Sequence, residues 1–118
     1  MGGAVAFVVP VILLALSNLV MNVAWYANLK FPGKALWLVI LASWGLAIFE
    51  YVLAVPANRI GAQAYSLAQL KTITTVFSLA TFVVVAWVMF GQKPNASQLI
   101  GFALIAFGSF FIFRGQIV

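Results

Sequence analysis

The chain has no cysteine and no histidine. The first absence excludes a disulfide framework and a thiolate metal site, and the second removes the commonest metal ligand and general base. Acid is almost missing as well. Glu50 is the single Asp or Glu among 118 residues, set against six Lys and Arg, for a net charge of +5. No nucleophile–base pair or metal cluster is present, and "FPGK" lacks the rest of a phosphate loop. The expectation is a protein that is not an enzyme and carries no cofactor and no metal.

What the chain does have is apolar length. Hydrophobic residues make up 66% and charged residues 6%, where soluble domains are about a quarter charged. With a mean hydropathy of +1.20, the solvent for this chain is a bilayer. A pI near 10.1 would point to nucleic acid in a soluble chain. Here the cations lie mostly between apolar runs, where they set topology, so the expected partner is lipid and not nucleic acid.

Four runs emerge, at about 5–29, 35–56, 63–90 and 97–114, each long enough to span. "KFPGK" breaks the first pair with Pro32 and Gly33, "VPANRIG" the second with Pro56 and Gly61, and "GQKPNASQ" the third, with Ser97 as N-cap of the last helix. Connections this short predict a single all-α domain over residues 1–118, an up-down-up-down bundle of four transmembrane helices. The turns on one side hold Lys30, Lys34 and Lys93, while Arg59 and Arg114 lie on the other. That near balance is compatible with insertion in both orientations and an antiparallel homodimer.

The polar residues inside the runs are the candidate site. Asn18, Asn22, Trp25 and Asn28 recur at three and four, so they share one helix face that avoids lipid. Either they bond to neighbouring helices or they line a cavity. Lys71, Thr74, Thr75, Ser78 and Thr81 form a second polar stripe, in the third run. With a turn centred near residues 60 and 61, Glu50 and Lys71 fall at one depth, roughly 10–12 Å inside it, and can pair. Arg59 is a competing partner for Glu50. Gly101 and Gly108, with Ser97 and Gly115, line one face of the last run as a helix-packing or dimer seam.

The segments "VPANRIGAQAYSLAQL" and "VMFGQKPNASQLIGFALIAFGSFFIF" resemble the small multidrug resistance transporters and the wider drug/metabolite transporter superfamily. "WGLAIFEYVLAVPANRIG" and "YSLAQLK" are similar to an uncharacterised four-helix bacterial inner-membrane family of that superfamily, a domain of unknown function, over nearly the whole chain. The resemblance implies four helices, residence in the inner membrane, a homodimer joined through Gly101 and Gly108, and a substrate path lined by the first three helices. Two positions depart from the small multidrug pattern. Ser17-Asn18 stands where that family carries a first-helix glutamate, and residues 62–90 contain no glycine. Glu50 is the only carboxylate available as a replacement.

The expected function is therefore transport of a small polar or charged solute, with Asn18, Asn22 and Trp25 lining the path and Glu50 and Lys71 as titratable or gating pair. The competing reading is a non-transporting structural or accessory subunit. The two differ in whether the polar faces surround water or are closed by direct contacts.

Overall fold

A computed structural model describes the backbone of residues 3–117 and the side chains of residues 3–114. Within these it shows helix α1 (Gly3–Tyr26), a 3-10 turn (Ala27–Lys30), α2 (Leu36–Gly61), α3 (Leu67–Phe90) and α4 (Ala96–Ile117). All four helices are long and apolar enough to cross a membrane. The all-α, four-span class expected from composition is what the structure has.

The breaks differ in detail. α2 does not end at Pro56 but runs through it to Gly61. Proline forfeits one backbone donor, and neighbouring helices compensate in a membrane bundle. Ala57, just beyond it, is 0% exposed and packs in a cluster with Leu14 of α1 and Leu70 of α3. Gly61 closes the same contact. A Cβ built there would lie 2.7 Å from Leu70 Cδ2 and 3.2 Å from Pro10 Cβ, so no larger residue fits without displacement.

α3 starts at Leu67, four residues later than its apolar run. Ser66 and Gln69 form a capping box, each side chain bonding the other's backbone N–H (3.1 and 3.0 Å), and this pins the start. α3 ends at Phe90 and is capped by Gly91, whose φ of +67° lets Gln92 N–H donate back to the Ala86 carbonyl. Ser97 is not the N-cap of α4. Asn95 Oδ1 accepts from Gln98 N–H at 2.8 Å while Gln98 Oε1 accepts from Asn95 N–H at 3.1 Å, so the reciprocal cap lies two residues upstream.

The helices form a slab and not a closed bundle, with principal extents of 52 × 35 × 18 Å. α1 lies between α2 and α3, while α4 leans on α3 alone among the extensive helix contacts. α1 accordingly carries most of the buried residues, and α4 has none among its described side chains. Pro10 inside α1 removes a donor from the first turns. The carbonyl so deprived is that of Ala6, and at the neighbouring position the Tyr65 hydroxyl donates to the Phe7 carbonyl at 2.9 Å with its ring edge-on to Phe7.

Candidate functional site

On α1, the asparagines turn away from lipid as their spacing predicts, but to different ends. Asn18 Nδ2 donates to the Leu14 carbonyl at 2.8 Å, and Ser17 Oγ donates to the same carbonyl at 3.1 Å. This pair satisfies itself within its own helix. Asn22 is 2% exposed and crosses to α3, where its Nδ2 donates to the Ser78 carbonyl (2.9 Å) and to Thr81 Oγ1 (2.7 Å). The Thr81 hydroxyl in turn donates a hydrogen bond to the Phe77 carbonyl at 2.7 Å. The α1–α3 polar contact is thus direct, side chain on helix.

Trp25 departs from the expected face. It is 56% exposed and, with Ala24, Asn28 and the first turns of α2, borders an open cavity of about 310 Å³. Its ring stands edge-on to Tyr26, with centroids 6.3 Å apart, and is otherwise largely uncovered. Asn28 is only half-buried and caps locally, donating to the Trp25 carbonyl at 2.8 Å.

The α3 stripe is likewise mostly local. Thr75 Oγ1 donates to the Lys71 carbonyl at 2.9 Å, and Thr74 is half-buried. Thr72, which the spacing of the stripe left out, is the buried threonine and donates to the Ala68 carbonyl at 2.8 Å.

Glu50 and Lys71 do not meet. The turn between α2 and α3 occupies residues 62–66, centred on Ala64 and not on residues 60 and 61. In an antiparallel hairpin this sets Lys71 level with Ala57, seven residues and about 10 Å shallower than Glu50. Lys71 and Arg59 are both exposed. Glu50 is 8% exposed, and its Oε2 is buried without a hydrogen-bond partner among the described residues. Because α2 continues through Pro56 to Gly61, the turn lies later in the chain than a helix ending at that proline would place it, and the depth of every residue paired across it shifts accordingly.

This register sets the neighbours of Glu50. Gly61 lies against Pro10, so Glu50, eleven residues back along α2, is level with Met21, eleven residues on along α1. Across α3 it is level with Ser78, the residue that accepts from Asn22. The inward face of α2 reads Ser43, Ala47, Glu50, Ala54, Ala57 and Gly61 at helical spacing, and every member is buried or half-buried. Small residues bring α2 close to α1, and Glu50 is the only large polar group in that row. It stands near the middle of its span, 14 residues from Leu36 and 11 from Gly61.

Gly101 and Gly108 are not used within the chain. A Cβ at either would meet nothing within 4 Å. The side-chain environment of Gly115 lies outside the described residues.

No curated protein and no solved structure matches the chain. A family model does, over residues 10–113, described as "Putative member of DMT superfamily (DUF486)". That span takes in α2 and α3 whole, most of α1 and α4, the Asn22 contact and Glu50; this chain, whose four helices are long and apolar enough to cross a membrane, belongs to the DMT_6 family.

Proposed function

We propose that the protein is a small-solute membrane transporter of the drug/metabolite type, with Glu50 as the group that takes up a proton or a cationic solute. One observation carries this reading, the buried, unpartnered Oε2 of Glu50 near mid-span. An unpaired charge at the bilayer centre costs about 2.5–3.5 kcal/mol on insertion scales, and intramembrane ionisable groups are functional candidates by default. A bound proton or cation removes that cost. Lys71 and Arg59 play no part in this version, because neither lies at the depth of Glu50.

The functional unit we infer is a homodimer in the cell's plasma membrane, the inner membrane where there are two. Gly101 and Gly108 present the free small-residue face of α4 to the second copy, in parallel or antiparallel arrangement. Gly108→Leu should lower the dimer fraction in detergent, and an unchanged fraction would remove α4 as the seam.

A second reading has its own support. The Asn22–Ser78–Thr81 contact is closed directly, with all the distances of a structural bond. That favours a packing role for the asparagine face, as in a structural or accessory subunit.

Flux separates the two readings. Purified protein in liposomes, wild type beside Glu50→Gln, is assayed for proton movement and solute-evoked current with cationic, anionic and zwitterionic metabolites. Transport should appear in wild type and vanish in a folded Glu50→Gln protein. Flux that survives the substitution would remove Glu50 from the mechanism, and silence in wild type across the panel would favour the structural reading.

A further inference from the structure

A different region of the protein carries an independent assignment. Lys30 ends the 3-10 turn, and its Nζ stands 5.7 Å from the centre of the Phe90 ring. Lys93 Nζ stands 5.4 Å from the centre of the Trp87 ring. Lys34 follows in the same loop as Lys30. Each ring limits the swing of a cation that would otherwise be free. No acidic side chain neutralises this end, because the single one in the sequence is Glu50, buried in mid-span.

Cavities open beneath the lysines. One of about 220 Å³ lies between α1 and α3, lined by Tyr26, Leu29, Phe82, Ala86, Phe90 and Gln92. A second, of about 120 Å³, shares Phe82, Ala86 and Gln92 with it and adds Lys93, Asn95 and Gln98. The Asn95–Gln98 cap uses the oxygen of each side-chain amide, which leaves their NH2 groups as donors. The second cavity continues along α3 and α4. It shares Val83 and Phe102 with an apolar space of about 350 Å³, which in turn shares Val76 and Ala106 with another of about 400 Å³ reaching Phe113. The result is a groove running down the membrane, rich in donors and cations at its lysine end and apolar below.

We propose that this groove holds an anionic phospholipid, its headgroup on Lys30 and Lys93 and an acyl chain between α3 and α4. The gradient from polar head to apolar length is that of an amphiphile, and basic pockets between transmembrane helices take anionic headgroups. A second copy of the chain is a poorer complement. It would bring a further +5 and no exposed acidic side chain to meet the lysines.

The test is native mass spectrometry of the purified full chain equilibrated with equal phosphatidylglycerol and phosphatidylcholine. Wild type should retain the anionic lipid preferentially. At about fivefold per lysine, Lys30→Gln with Lys93→Gln should reduce that preference about twenty-five-fold, while Lys30→Arg with Lys93→Arg keeps it. Equal retention of the two lipids by wild type would overturn the assignment. So would undiminished preference in a double-glutamine variant whose far-ultraviolet spectrum shows it folded. If that variant does not fold, wild type in rising salt asks the same question, and a preference indifferent to salt refutes the ionic headgroup contact. Ala103→Phe, which fills the groove, should lower lipid retention. Loss of dimer with retention intact would assign the groove to a second copy and end the proposal.

Discussion

Replacing Asn22 with Leu tests whether the α1–α3 contact contributes no more than its hydrogen bonds. The substitution nearly conserves volume and removes two donations, to the Ser78 carbonyl at 2.9 Å and to Thr81 Oγ1 at 2.7 Å. Neither acceptor is stranded. Ser78 sits inside α3, where its carbonyl also serves the helix, and the Thr81 hydroxyl still donates to Phe77. With no orphaned group, the loss reduces to two interhelical bonds at about 0.6 kcal/mol each in a membrane protein, or about 1.2 kcal/mol in total. Thr81→Val removes only one of the two, because the other acceptor belongs to the backbone. A double-mutant cycle should therefore give a coupling near 0.6 kcal/mol, about half of the single-mutant effect. The assay is equilibrium unfolding in mixed micelles, followed by helical ellipticity. A loss above about 3 kcal/mol for Asn22→Leu would mean the amide holds something further, such as water or a partner. A coupling near zero would mean the Thr81 bond is not formed in the membrane.

Other outcomes follow from the same contacts. Gly61→Ala should destabilise by about 1–3 kcal/mol, because Leu70 and the rigid Pro10 ring both stand in the way of a Cβ; unfolding within error of wild type would contradict the close α1–α2 approach. Lys71→Gln should change stability by less than about 0.5 kcal/mol, since the lysine is exposed and unpaired with Glu50, and a large loss in the same micelle titration would restore the ion pair. Asn95→Ala should cost about 1 kcal/mol while Ser97→Ala is nearly neutral, and the reverse order would return the cap of α4 to Ser97.

Much of this protein could be read along the chain because the bilayer imposes a one-dimensional rule. Every backbone polar group must be satisfied within its own segment, so apolar runs become helices and their number and order follow. The inward turn of Asn18 and Asn22 was legible for a related reason, since spacing places a residue on a face and polar amides avoid lipid. Boundaries were less so. Pro56 signals a stop locally, and only the packing of Ala57 between Leu14 and Leu70 explains why α2 continues.

Pairing between helices depended entirely on those boundaries. A few residues' shift in one turn moved Lys71 about 10 Å away from the depth of Glu50. The neighbours of a side chain also depend on which helices adjoin, and chain order suggests α2 beside α3, where the structure interposes α1. Composition and periodicity by themselves determined a four-span membrane protein with buried amides and one intramembrane acid, because those follow from transfer free energy residue by residue. Tertiary structure alone decided that Asn22 is bonded and that Glu50 Oε2 has no hydrogen-bond partner among the described residues, because a partner is a property of two segments and their register.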